Sequence, residues 1–219
     1  MPKNKEVDKT TLYQQNEGKE YFNSIKLRGT IVRKYRNGNN WLVIGLATSS
    51  ESGKKDYPSV FWYGNNMDIV DKAYNVYDHV EIDAKLITSK IHKSQSIIGL
   101  DINDAKRELE TKMGIQGVGR YEEDLNEVLL KGDFMKIFTP KNAKEKFCIA
   151  TMHMLIDGKT YYPQFTLFGR QYEKALKLQK GTPICVVGHI QTHKYQDKKG
   201  DPIYIESVVG HYITQEEDE

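Results

Sequence analysis

The chain repeats itself, and a repeat constrains a fold more tightly than any single motif, because each copy must be one foldable unit. Asn23-Ser-Ile-Lys-Leu-Arg-Gly29 returns as Asn126-Glu-Val-Leu-Leu-Lys-Gly132, and Leu46-Ala47-Thr48 returns as Ile149-Ala150-Thr151, both 103 residues on. Tyr57-Pro58-Ser-Val-Phe-Trp-Tyr63-Gly64 returns as Tyr162-Pro163-Gln-Phe-Thr-Leu-Phe168-Gly169 at an offset of 105, and Ala84 to Lys90 returns as Gly188 to Lys194 at 104. A near-constant offset with slips of one or two residues is what loop-length changes between duplicated domains give.

Each copy is patterned for strands. Ile25, Leu27, Gly29 and Ile31 alternate with polar residues, and Val128, Leu130, Gly132 and Phe134 repeat the period of two. Leu42, Ile44 and Leu46 mark a second strand, and Val60 with Trp62 a third. Helical spacing is confined to Met67–Ala73 and Gln171–Leu178, and each copy closes with two more strands: Val80–Thr88 and Ile97–Ile102, or Pro183–Thr192 and Pro202–His211. Five strands with a short helix between the third and fourth is the order of a Greek-key OB barrel. The expected fold is therefore all-β, with two tandem five-stranded OB-fold barrels. The expected division is a flexible N-terminal arm over residues 1–22, one barrel over 23–102, a helical and Gly-rich linker over 103–125, a second barrel over 126–213 and an acidic tail over 214–219. The linker predicts a surface helix capped by Asn103, and its length is compatible with barrels that move relative to each other.

The formal charge of +2 looks unpromising for a nucleic-acid binder until it is resolved by segment. Residues 24–100 carry 11 basic and 7 acidic residues, and residues 126–213 carry 13 and 8. Residues 101–125 carry 4 and 7, and Glu216 to Glu219 are all acidic. Two basic barrels are thus offset by an acidic linker and tail. Trp41–Ala47, the longest apolar run, is far short of the roughly 20 residues a membrane helix needs. With no leader-like segment, the expected location is the cytoplasm. Cys148 and Cys185 have no ligand-like spacing and read as small apolar residues. His189 and His193 share a face without a third ligand. No metal, cofactor or catalytic constellation is expected.

Parity separates the core from a binding face. Val60 and Trp62 point inward, leaving Tyr57, Phe61 and Tyr63 outward; Phe165 and Leu167 point inward, leaving Tyr162 and Phe168 outward. Exposed rings beside cations suit single-stranded nucleic acid, because bases stack on rings for about 1–3 kcal/mol each while cations track phosphates. The cations near the second copy's rings are Arg170, Lys144 and Lys146, with Lys194, Tyr195 and Lys198 on the hairpin between strands four and five. In the first copy they are the cluster Arg33, Lys34, Tyr35 and Arg36, with Lys90 in the corresponding hairpin, and Trp41 lies on the non-core parity of strand two. The long basic hairpin can fold over a strand lying in the barrel groove, or be a solvated turn. The same rings could instead cover a barrel end or a protein interface.

The second copy resembles the bacterial and phage-type single-stranded DNA-binding proteins. The words carrying the resemblance are Asn126-x-Val128-x-Leu130-x-Gly132, Phe147-x-Ile149-Ala150-Thr151, Phe168-Gly169-Arg170-x-x-Glu173, Lys180-Gly181, Val187-x-His189-Ile190-Gln191-Thr192 and Tyr195-x-Asp197-x-x-Gly200. The resemblance implies stacking by Tyr162, Phe168 and Tyr195 and a phosphate contact from Arg170. It also implies four barrels around the strand, hence a homodimer, or a monomer if the barrels have diverged. The expected function is sequence-independent coating of single-stranded DNA, or RNA, during replication, recombination or DNA transfer, with replication and recombination proteins as further partners. The alternative is a tandem-OB protein-interaction scaffold in a replication or conjugation complex.

Overall fold

The computed structural model describes residues 20–49, 54–88, 95–105, 124–141, 145–196 and 202–215, the side chains of residues 195, 196, 202 and 203 excepted. The first half contains β1 (Phe22–Asn37), β2 (Trp41–Ser49), β3 (Lys55–Asp56), β4 (Ser59–Trp62), α1 (Gly64–Ala73), β5 (His79–Thr88) and β6 (Gln95–Asp104). The second contains β7 (Leu125–Phe138), β8 (Phe147–Ile156), β9 (Lys159–Tyr161), β10 (Gln164–Phe168), α2 (Gly169–Ala175), β11 (Pro183–Gln196) and β12 (Pro202–Gln215). The fold is almost entirely β, as the alternation requires.

In the first half, β1 pairs with β2, β2 with β4, β4 in parallel with β6, β6 with β5, and β5 with β1 again, closing a ring of five. The second half closes in the same way through β7, β8, β10, β12 and β11. Alternation fills each ring. Ile25, Leu27, Leu42, Ile44, Val60 and Trp62 are buried in the first, with Met67 and Val70 from α1 against them. Val128, Leu130, Phe165, Leu167, Ile184 and Val186 are buried in the second. Each fully buried aliphatic chain contributes roughly 1.5–3 kcal/mol of hydrophobic stabilisation.

The rings share a seam. β1 and β7 run antiparallel from Phe22 opposite Lys131 to Arg28 opposite Leu125. Ile25 stands opposite Val128, its counterpart in the repeat. The two halves are thus related by a local two-fold axis through that pair, and both side chains are fully buried. This continuous ladder overturns the expectation that a long linker leaves the barrels free to move. Seven paired positions and the cross-barrel bonds described below tie them.

Structure also corrects the repeat. Ile31 pairs with Leu46, and its equivalent Phe134 pairs with Met152, so strand two is offset by 106 residues and not 103. The chain between the first two strands is longer in the second barrel, from Phe138 to Phe147 against Asn37 to Trp41, which makes the slip. An error of three is odd, so it would turn every side chain of β8 inside out. The buried set is in fact Cys148, Ala150, Met152 and Met154. The fourth-to-fifth strand hairpin of the second barrel is longer than expected: β11 continues to Gln196 and β12 to Gln215, taking Thr214 and Gln215 from the expected tail. Asn103 lies within β6 opposite Glu81 and caps no helix. The rest of the expected linker helix, the tail from Glu216, and Lys90, Lys144 and Lys198 fall outside the described residues.

Candidate nucleic-acid interface

The outward side chains of β1, β2 and β4 form a grid. Arg33, Gly45 and Ser59 make one row across the three strands, and Tyr35, Val43 and Phe61 the next. Trp41 lies two residues from Val43 on the same face. Its ring is 5.4 Å from that of Tyr35 and 5.8 Å from that of Phe61. Tyr35 is 57% exposed, and Tyr63, at the N-terminus of α1, is 49% exposed. The aromatic surface is continuous because rows on neighbouring strands lie about 4.8 Å apart. Arg33 spans the row beside it: Nη2 donates to Ser59 Oγ at 2.8 Å. The glycine between makes this possible, since a Cβ at Gly45 would sit 3.3 Å from the Arg33 side chain.

The second barrel has a matching grid on β7, β8 and β10: Lys136, Thr151 and Gln164 in one row, Phe138, Ile149 and Thr166 in the next, then Phe147 opposite Phe168. The Phe147 and Phe168 rings are 5.5 Å apart. Phe147 occupies the place of Trp41 and was missed from sequence, because the misregistered repeat hid the equivalence. Phe138 is 63% exposed, Phe168 38% and Tyr162 36%. Arg170 is exposed on α2 beyond Phe168, and Lys146 is exposed just before β8. His153, another residue not singled out from sequence, lies 5.6 Å from the Tyr162 ring. Tyr21 meets the same His153 ring edge-on at 6.2 Å and donates its hydroxyl to Asp133 Oδ2 at 2.8 Å. Burial and then that bond raise the Tyr21 pKa above the ordinary phenol value. The end of the N-terminal arm is thus fixed on the second barrel.

Strand alternation splits the basic cluster Arg33 to Arg36. Arg33 and Tyr35 face the grid, whereas Lys34 and Arg36 face α1. Lys34 Nζ donates to the Asp71 and Tyr74 carbonyls and pairs with Asp71 Oδ1 at 2.9 Å. Arg36 pairs with Asp71 Oδ2 at 2.8 Å and Asp68 Oδ1 at 2.6 Å. The bonds from Arg36 and then Lys34 lower the Asp71 pKa, and those to Asp71 and then Asp68 raise that of Arg36. These two cations fasten the helix and neutralise its carboxylates, a correction to the reading of all four residues as one phosphate-facing cluster.

The hairpins are exchanged. On β11 and β12 the pair Ile190 and Val208 fills the second barrel, but the next pair on that face, Thr192 and Glu206, reaches the first. Thr192 Oγ1 accepts from Tyr57 N at 3.0 Å, Thr192 N donates to Asp56 Oδ1 at 3.0 Å, and Glu206 Oε1 accepts from Ser59 N at 2.9 Å. The equivalent pair on β5 and β6, Thr88 and Gln95, does the same in reverse. Thr88 Oγ1 donates to Tyr162 O at 2.8 Å, Gln95 Oε1 accepts from Gln164 N at 2.8 Å, and Gln95 Nε2 donates to Gln164 O at 3.1 Å. The base of the basic hairpin is thus bonded to the other barrel. Burial raises the Glu206 pKa above the usual carboxylate value, against the lowering effects of the Ser59 bonds and the Arg33 charge.

His189 turns out to meet His211 of β12, with Nδ1 and Nε2 2.6 Å apart. Burial, then His211, lowers the His189 pKa. Among the described residues no group of three His, Cys, Asp or Glu could hold a metal ion. Cys148 and Cys185 are not joined in a disulfide; burial pushes the Cys148 thiol up to about 11, which leaves it unreactive. Among the described residues no helix is long and apolar enough to cross a membrane.

Residues 125–214 match the single-strand binding protein family. That match covers the whole of the second barrel, grid and hairpin included. The family signal is confined to this half, where the sequence words above are densest. Across the whole chain, the fold is similar to the wild-type single-stranded DNA binding protein from Thermus aquaticus: TM-score 0.57, 14% identity, 92% of this chain and 96% of the other covered. A deletion mutant of that protein gives TM-score 0.57 and 15% identity over 91% and 96%. At such identity the likeness is one of fold. No curated protein matches the chain.

Proposed function

We propose that the chain is a sequence-independent single-stranded DNA-binding protein and not an enzyme. The observation that carries this reading is the pair of equivalent outward grids, each with aromatic rings at neighbouring positions and a cation in the adjoining row. Stacking on Trp41, Tyr35, Phe61 and Tyr63 in one barrel, and on Phe147, Phe168, Phe138 and Tyr162 in the other, would hold bases of any identity. Arg33, Lys136, Lys146 and Arg170 would neutralise phosphates. The single-strand binding family match over residues 125–214 supports the same reading. Coating strands exposed in replication, recombination or transfer follows from binding without sequence preference, and a homodimer would bring four such grids together.

Titration with homopolymeric oligonucleotides tests this. Single strands should quench intrinsic fluorescence, with an affinity that falls linearly in log–log form as salt rises, and duplex should compete weakly. A chain that leaves its fluorescence unchanged with single strands at low salt is not a single-strand binder, and the protein-scaffold reading would then take its place.

A further inference from the structure

The hairpin exchange assigns the β11–β12 hairpin to a site on the opposite barrel. Its docking face alternates outward from the second barrel's core as Ile190 with Val208, then Thr192 with Glu206, then Lys194 with Tyr204. The first pair is buried in its own barrel. The second is bonded to Tyr57 and Ser59 of the other barrel. The third is one strand repeat further on, about 6.6 Å, on the same face. Lys194 is exposed, and Tyr204 is 53% exposed. Tyr57, whose backbone is held by Thr192, is itself 45% exposed. Ser59, whose N–H Glu206 accepts, also accepts from Arg33 of the first grid.

We propose that Lys194 and Tyr204 complete the first barrel's single-strand site, acting on nucleotides stacked at Tyr57 and not on those at Tyr162, so that the two grids form one path crossing the seam. The inference rests on the proposed single-strand binding and adds which residues act together. The hairpin cannot fold back over its own barrel's groove without breaking the bonds of Thr192 and Glu206 to residues 56, 57 and 59. The strand repeat therefore delivers its free cation and ring to the neighbour. The local two-fold axis makes the arrangement reciprocal: the hairpin of β5 and β6 is rooted at Tyr162 and Gln164 through Thr88 and Gln95. Tyr204 has no motif to announce it, being one aromatic in a strand, and only its position opposite Lys194 gives it a part.

A double-mutant cycle on the full chain tests the assignment. Lys194→Ala and Tyr204→Ala are each combined with Tyr57→Ala and with Tyr162→Ala, and affinity for oligothymidylate is read by fluorescence. All four side chains are exposed, so truncation should leave the fold intact, and circular dichroism checks this. In an otherwise wild-type chain Tyr204→Ala should weaken binding about tenfold, the scale of one stacked base. In the Tyr57→Ala background that loss should shrink below twofold, while in the Tyr162→Ala background it should stay near tenfold. Lys194→Ala should follow the same pattern. Equal losses in both backgrounds, or a loss absorbed only by Tyr162→Ala, overturns the assignment while leaving single-strand binding in place. A wild-type chain that does not bind the oligonucleotide overturns the binding reading instead.

Discussion

Asn23 and Asn126, equivalent residues on either side of the seam, each replace a missing rung of backbone. Asn126 Oδ1 accepts from Ile190 N and Nδ2 donates to Ile190 O, both at 2.8 Å; Asn23 makes the same two bonds to Leu86 at 2.9 Å. The ladder of β7 with β11 is last paired at Val128 and Gly188, while β7 itself runs on to Leu125 against β1. A carboxamide offers the same donor and acceptor as a peptide group, so the side chain continues a ladder its own backbone has left. Asn126→Ala would leave the buried Ile190 N–H and C=O unpaired. It should cost about 2–4 kcal/mol in urea unfolding, one to three per orphaned group with partial relaxation. A loss below 0.5 kcal/mol would mean the clasp is dispensable.

The two tryptophans have opposite surroundings. Trp62 is 1% exposed in the barrel core, and its indole Nε1 has no hydrogen-bond partner among the described residues, while Trp41 is part of the outward grid. Fluorescence quenching by single strands should therefore disappear in Trp41→Phe and persist in Trp62→Phe. Affinity should change little in either, since phenylalanine still stacks, whereas Trp41→Ala should lose roughly tenfold. Quenching that survives Trp41→Phe would move the first barrel's contact surface away from the grid.

Glu206 gives a pH dependence with a defined sign. Burial raises its folded pKa above the unfolded carboxylate value of about 4.3. Stability from this group is thus fully present below the unfolded pKa and is lost as pH rises through the folded one. Glu206→Gln keeps an oxygen for Ser59 N–H and has nothing to ionise, which is the solution Gln95 already uses at the equivalent place. Denaturation midpoints should coincide at pH 4 and favour Glu206→Gln at pH 7. A wild type that is the more stable at pH 7 would show that the Arg33 charge outweighs the burial cost.

Tyr77 sits at φ +80° where its equivalent Gly181 sits at φ +90°, and both N–H groups close the same turn, onto Ile31 O at 2.8 Å and Phe134 O at 2.7 Å. The left-handed region costs a side-chain-bearing residue about 1–2 kcal/mol, and glycine loses roughly 0.5–1 kcal/mol in chain entropy. Gly181→Ala should therefore lower stability by about 1 kcal/mol, and Tyr77→Gly should raise it by up to about 1 kcal/mol. Paired thermal and urea unfolding of the two variants decides the point; a destabilised Tyr77→Gly would mean that the Tyr77 ring, 79% exposed, makes a compensating contact.

The sequence by itself determined the strand-rich fold, the order of elements, the core parity of the third strand and the outward rings on it, because alternation and turn chemistry are local. It also carried the words that lie within the match of residues 125–214 to the single-strand binding protein family. Tertiary structure decided the rest. The register of β8 depends on a loop length that self-comparison could not see, so Phe147 stayed hidden behind a slip of three. Lys34 and Arg36 read as free cations until α1 brought Asp68 and Asp71 to meet them. The seam through Ile25 and Val128, the asparagine clasps and the exchanged hairpins join residues more than 60 positions apart. No local pattern encodes such pairings: a hairpin's own sequence sets its turn and faces, but which surface it docks on is fixed only when two closed barrels share a ladder.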